Sequence, residues 1–371
     1  MKRRFRFENR VGGGNLGGMS TELLNCDTPD ARAQSIKRAA QLLKAGRIVA
    51  LPTETVYGLA VVAGNPDAET LLRETRGRDD DKPFTVAVSS AVVAARFVEV
   101  VPPMARRLMS RCWPGPLTIV FENPDGRTVG LRLPDSDLAL RTIERAGGAV
   151  LLPSANRPGE PPARSAKEVL DVFDGKIDAV LDGGTVPIGE ASTVVRLTPK
   201  GYEVIRKGAL SEGLLRRAAN LVVLFICSGN SCRSPIAEAL CRKMLAERLD
   251  VPADALDEHG YTVMSAGSAG GFAAPASAKA VEVMRQIGVD ITDHLSQTVT
   301  PEMLRRADRV FVMTPEQMEQ ALRLAPDAKG RVALLDPKGR PVADPHGGDL
   351  EIYRRCAYVI QRALEKRIKE L

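Results

Sequence analysis

The 371 residues are too many for one ordinary domain and predict two; 44% of them are apolar and 26% charged. No apolar run is long enough to span a bilayer and no apolar core follows the basic N-terminus, so the sequence reads as cytoplasmic, with no membrane partner and no signal peptide. The net charge of +6 is concentrated in the first ten residues, where Lys2, Arg3, Arg4, Arg6 and Arg10 face Glu8 alone. Bulk charge therefore does not mark a nucleic-acid binder, although a tRNA contact is compatible with it.

The six cysteines, in a chain of this size without a secretion signal, read as free thiols. None of the three histidines, His259, His294 and His346, sits in a cluster with zinc-like spacing, so no metal is expected as a structural element.

Residues 1–29 read as a flexible, basic, glycine-rich tail, without a sustained period of 2 or 3.6. The run SIKRAAQLLKAG then places Ile36, Ala39, Ala40 and Leu43 on one helical face, stops at Gly46, and passes into the strand-like RIVALP. The segments FTVAV, PLTIVF, TVGLRL, AVLLP, DAVL, STVVRL and YEVIR are short β-type runs, more numerous than the helices between them. Residues 30–209 are thus expected to form a mixed-sheet α/β domain.

Residues 210–220 read as a linker or bridging helix, after which LVVLFI is a continuous buried-strand run. Regular βαβ alternation follows over residues 221–371: TVMSAG, a helix in AKAVEVMRQIG, RVFVM, and a long helix from about Leu350. This pattern predicts a small doubly wound parallel sheet.

Two constellations carry chemistry. In the first half, LPTETVYGL, TRGRDDDKPF, WPGPLTIV, GLRLP, PSAN, GEASTVV and IRKGAL put basic and hydroxyl residues at strand ends, a set suited to a polyanion plus a small polar substrate. In order and spacing these motifs resemble the YrdC-like threonylcarbamoyl-AMP synthases over residues 31–210. The resemblance implies synthesis of threonylcarbamoyl-AMP and pyrophosphate from L-threonine, bicarbonate and ATP, as a precursor for tRNA threonylcarbamoyladenosine, with tRNA and tRNA-modification proteins as partners. It also implies threonine binding by Thr55, Arg132 and Ser192, and ATP binding by Arg78, Lys82, Thr128, Ser154 and Arg206. Arg76 and Asn156 belong to the same ATP-binding set, Asn156 by shaping the PSAN turn. Negative charge gathers on the phosphates in such a reaction, so Mg2+ is expected to accompany ATP. The sequence departs from the family at Arg76, where lysine is usual, and at Pro162, Ala163 and Arg164, where serine-proline-threonine is usual.

In the second half, CSGNSCRSP runs from Cys227 to Pro235 where a buried strand ends and a helix begins. The residues between Cys227 and Arg233 can curl so that backbone N–H groups of Ser228, Gly229, Asn230, Ser231 and Cys232 form an anion nest, closed by the planar fork of Arg233. The field that holds phosphate also favours a thiolate at Cys227, a nucleophile. Gly229 and Asn230 suit positive-φ turns, and Ser234 can donate to the sulfur.

This half resembles the low-molecular-weight protein-tyrosine phosphatases over residues 221–371, including SAG at Ser265, the GVDITDH run, and the DP pair Asp344–Pro345. The resemblance implies a phosphorylated protein substrate, no cofactor, and Asp344 as general acid and then base; taken alone, an Asp-Pro pair is a common turn. For Cys232, a packed small residue and a reversible disulfide partner of Cys227 stay open. Tyrosine-directed members commonly carry an aliphatic residue before the second loop cysteine and aromatics after DP. This chain has Ser231 and then His346, Gly347 and Gly348, which is similar to the bacterial protein-arginine phosphatases, though these usually carry phenylalanine at the His346 position. Both constellations being otherwise complete, a bifunctional enzyme is the favoured reading. The alternatives are a phosphatase whose first domain is an RNA-binding or structural module, and a redox sensor working through Cys227 and Cys232.

Overall fold

The computed structural model describes residues 20–77, 82–198, 201–269 and 273–371. Its contacts divide the chain into a first unit, Met1–Val101 with Cys112–Leu210, and a second, Pro102–Arg111 with Ser211–Leu371.

The described strands of the first unit are β1 (Glu22–Asn25), β2 (Val49–Pro52), β3 (Tyr57–Val62), β4 (Val86–Val88), β5 (Leu117–Glu122), β6 (Thr128–Arg132), β7 (Ala149–Leu151), β8 (Ala179–Asp182), β9 (Thr193–Thr198) and β10 (Gly201–Arg206). They form one sheet in the order β1-β8-β2-β3-β7-β4-β6-β5-β9-β10. Parallel pairs such as β2/β8 and β5/β9 alternate with antiparallel ones such as β2/β3 and β5/β6, so the sheet is mixed, as the many short strands predict. Helix Pro29–Lys44, capped by Thr28, buries Ile36, Ala39, Ala40 and Leu43, the face its periodicity singles out.

The tail reading for residues 1–29 needs correction at its C-terminal end. Glu22–Asn25 pairs in parallel with Ala179–Asp182 and buries Leu24. An edge strand of four residues with one inward side chain leaves almost no periodic signal, which is why tail and strand look alike in the sequence. Residues 1–19 lie outside the described residues.

In the second unit β11 (Leu221–Cys227), β12 (Tyr261–Gly267), β13 (Arg309–Val312) and β14 (Val332–Leu334) pair in parallel in the order β12-β11-β13-β14. The first strand is central and fully flanked, so LVVLFI is apolar without alternation. Helices Arg233–Leu249 and Leu350–Arg367 pack against one face through Ile236, Leu240, Tyr353 and Ile360. The linker segment contains a helix, Glu212–Ala219, capped by Ser211. Within this unit Arg107 donates to Ala219 O at 2.8 Å, and Arg111 pairs with Asp308 at 2.7 Å.

Close backbone approach fixes one turn of the first unit. A Cβ at Gly208 would stand 2.2 Å from Ala191 O and 2.7 Å from Ser192 C, both backbone atoms. Gly213, at the start of its helix, has only Arg217 Nη1 within reach, at 3.7 Å. Gly208→Ala is therefore expected to destabilise by about 1 to 3 kcal/mol through overpacking, whereas Gly213→Ala is expected to be neutral or to stabilise by up to about 1 kcal/mol. Calorimetric melting of the full chain checks both, and a Gly208→Ala variant no less stable than Gly213→Ala contradicts the expectation.

Candidate active sites

In the first unit, β2 ends at Pro52 and antiparallel β3 begins at Tyr57, leaving residues 53–56 as the turn between them. Thr53 holds that turn from inside: its hydroxyl donates to Val56 O at 2.7 Å and accepts from the N–H groups of Thr55 and Val56. Arg132 closes β6, the PSAN turn follows β7, Ser192 precedes β9 and Arg206 closes β10. These ends bring Arg132, Ser154, Ser192 and Arg206, with Thr53 and Tyr57, and the last residue of helix Pro66–Arg76 brings Arg76, to a cavity of about 260 Å³.

The cavity is cationic. Three guanidiniums line it and no carboxylate is among its described walls. Arg76 and Arg132 are buried, and burial, followed by the neighbouring Arg132 charge, holds Arg206 below its usual arginine value. Arg206 donates to Ser192 O at 2.8 Å and to its hydroxyl at 3.2 Å, and that hydroxyl meets Thr118 Oγ1 at 2.9 Å. Burial pushes Tyr57 up to about 12, and its hydroxyl is bonded to Gly183 N and Gly184 O.

Not every residue named from the sequence reaches this cavity. Thr55 is fully buried behind Arg132, whose Nη2 donates to its hydroxyl at 2.8 Å. Thr128 is exposed at the opposite end of β6 from Arg132, and Lys82 is exposed and absent from the cavity walls. Arg78 lies outside the described residues. Asn156 shapes its turn: it accepts from Ser154 Oγ at 2.5 Å, donates to Arg157 O and Glu160 O, and its own carbonyl accepts from Arg76 at 3.3 Å. Where the sequence departs from the family, Ala163 is held through its backbone, accepting from Tyr57 N and donating to Ala155 O. Sequence reasoning missed Glu54 and Thr118. Glu54 had a signal, because an Arg132 expected in the site demands a counter-charge and Glu54 adjoins Thr55, a residue expected there too.

In the second unit Cys227 ends β11, and helix Arg233–Leu249 starts six residues later. The Cys227 sulfur meets Ser234 Oγ at 3.0 Å and accepts from Asn230 N at 3.2 Å. Of the two residues expected to turn left-handed, only Asn230 does, with φ +54°. Its buried side chain supplies the restraint that Gly229 lacks, donating to Ser234 and Ser265 and accepting from Gln297 N. Ser265 donates to Glu238 at 2.7 Å, and burial pushes that carboxyl up against the opposing effects of Ser265 and His294. His294 Nε2 meets Asn230 O at 2.7 Å.

Arg233 is 4% exposed. Its Nη1 donates to Val342 O and its Nη2 to Ser228 Oγ and Asp344, while its enclosed Nε has no partner among the described residues. Ser228, Arg233 and Asp344 share a groove of about 410 Å³ with Thr314, Glu316, Gln317 and Gln320. Gln317, also missed from the sequence, donates to Ser228 Oγ at 3.1 Å. Cys232 is buried separately, its sulfur bonded to Ser277 and Tyr353 hydroxyls at 3.3 Å. Ser231 is half-buried and its carbonyl accepts from Ser277 N.

Two sequence families match the chain: Sua5/yciO/yrdC, described as telomere recombination, over residues 41–208, and low molecular weight phosphotyrosine protein phosphatase over residues 222–371. Threonylcarbamoyl-AMP synthase of Bacillus subtilis is 36% identical over 187 residues, 48% of this chain, and the chain spans 54% of that relative's length, about half. A putative threonylcarbamoyl-AMP synthase of Mycobacterium tuberculosis is 32% identical over 200 residues, 52% of this chain and 92% of the relative. The solved structure of a Pyrococcus abyssi Sua5 variant aligns with 25% identity and a TM-score of 0.51, covering 85% of this chain and 98% of that one. Through its first unit the chain belongs to the threonylcarbamoyl-AMP synthase family, and through its second it carries a low-molecular-weight phosphatase domain.

Proposed function

We propose that the chain carries two activities: synthesis of threonylcarbamoyl-AMP from L-threonine, bicarbonate and ATP, and cysteine-dependent dephosphorylation of a protein, with phosphoarginine preferred. The synthase reading rests on the cationic cavity. Three guanidiniums around about 260 Å³, with no carboxylate in its described walls, leave positive charge that anionic ligands neutralise. Arg132 takes the threonine carboxylate, while Arg76, Arg206 and Ser154 take the nucleotide phosphates. The carbamate formed from threonine and bicarbonate then attacks the α-phosphorus, and pyrophosphate leaves as its charge is met by the guanidiniums. These walls, and the absence of a cluster of three or more acidic, His or Cys side chains among the described residues, do not make a protein-built magnesium site; Mg2+ belongs with ATP as substrate. The product is the kind of activated intermediate that tRNA-modification proteins consume in the cytoplasm.

The phosphatase reading is supported by the loop from Cys227 to Ser234, whose Arg233 pairs with Asp344. The sulfur attacks phosphorus, the bond to the leaving group breaks as Asp344 gives it a proton, and Ser234 donates to the sulfur when water, activated by Asp344, releases phosphate. The described walls of the groove hold no aromatic side chain but several acceptors, Glu316, Gln320 and Asp344 among them, which suit a guanidinium better than a phenyl ring.

Incubating the full chain with threonine, bicarbonate and ATP, and following pyrophosphate and threonylcarbamoyl-AMP, tests the synthase. A clean absence of both products leaves the phosphatase alone. Cys227→Ser is expected to lower phosphatase turnover by at least about a thousandfold and to leave threonylcarbamoyl-AMP formation unchanged. Loss of both activities in a folded variant contradicts two independent sites. For specificity, kcat/KM on phosphoarginine peptides is expected to exceed that on phosphotyrosine peptides roughly ten- to a hundred-fold, with Ser231→Ile narrowing the gap. A wild-type preference for phosphotyrosine, or an Ile variant with an unchanged ratio, refutes that assignment.

A further inference from the structure

Arg132 does not reach the cavity as a free fork. Its Nε donates to Gly115 O at 3.3 Å, and its Nη2 is taken by Glu54 Oε1 at 2.7 Å and Thr55 Oγ1 at 2.8 Å. Nη1 alone has no partner among the described residues, and it is not an enclosed atom. The other Glu54 oxygen, Oε2, accepts from the backbone N–H of Asp135 at 2.9 Å, and the Glu54 carbonyl accepts from Ile188 N at 3.1 Å. Glu54 is itself buried and stands behind the cavity rather than in its wall.

We infer that Glu54 is a positioning residue for carboxylate recognition: it fixes the Nη2 end of Arg132 so that Nη1 faces the substrate's carboxylate. The inference rests on the synthase reading above. It has a sharp chemical consequence, because both oxygens of Glu54 accept. An isosteric glutamine can accept at only one of the two places; at the other its NH2 meets either Arg132 Nη2 or Asp135 N–H, donor against donor. The guanidinium then loses its fixed edge while the size of the site is unchanged. Thr55, whose hydroxyl also holds Nη2, backs the same restraint.

The test is threonine and ATP binding to the full chain by calorimetry, with steady-state kinetics alongside. Glu54→Gln is expected to weaken threonine binding at least about tenfold and to raise its KM to match, with ATP affinity unchanged within about threefold. If Glu54 acts through Arg132, adding Glu54→Gln to Arg132→Gln costs no further threonine affinity. Additive losses, equal losses for threonine and ATP, or an unchanged threonine affinity overturn the inference and leave the synthase reading standing. A wild-type chain that binds no threonine overturns both. Should Glu54→Gln fail to fold, Thr55→Val reads the same restraint, and an unchanged threonine affinity there is equally fatal.

Discussion

The pairing of a buried guanidinium with one carboxylate and one backbone carbonyl is the constraint on which each site depends. Removing such a charge from water costs several kcal/mol unless its hydrogen-bonding edges are met. Arg132 meets the cost with Glu54 and Gly115 O; Arg233 meets it with Asp344 and Val342 O. In both, one nitrogen has no partner among the described residues, Nη1 of Arg132 and the enclosed Nε of Arg233. Arg132 lines a cavity that an anion can enter, which gives its open nitrogen a partner there.

The two sites reach this arrangement by different routes, which explains how much of each is legible in sequence. The second is local: Cys227 to Ser234 is one strand end, one loop and one helix start, so residue spacing already dictates the nest. Of the catalytic residues expected from the sequence, Asp344 comes from far away, and Asp-Pro alone does not separate an acid from a turn. The first site is assembled from six strand ends, and no spacing along the chain measures the distance across a sheet. Arg132 and Ser154 are legible because they sit at the ends where strands stop. Thr128 is in the same strand as Arg132, but five residues of extended chain carry it to the other end, about 13 Å away.

What stayed hidden is of one kind: contacts between residues far apart in sequence. Glu54 meets Arg132 across 78 positions, and Thr118 meets Ser192 across 74. The same holds for β1, whose only reason to be a strand is the edge of β8. Helix periodicity, by contrast, reports burial directly, and the face of Pro29–Lys44 could be read before any partner was known.

A chain of hydrogen bonds runs from Glu238 through Ser265, Asn230 and Ser234 to Cys227. Ser265 donates to Glu238, so its oxygen is free to accept from Asn230 Nδ2. Asn230 spends its amide protons on Ser265 and Ser234. Ser234 thus accepts from Asn230, and its one proton has two acceptors in reach, the Cys227 sulfur at 3.0 Å and Ala266 O at 3.5 Å, while the Asn230 backbone N–H donates to the same sulfur. Asn230 therefore does two jobs that glycine could not combine: it takes the left-handed turn of the loop, and its side chain sets the sense of the whole chain of donors. Gly229 beside it, with no side chain to hold, is left out of the left-handed region.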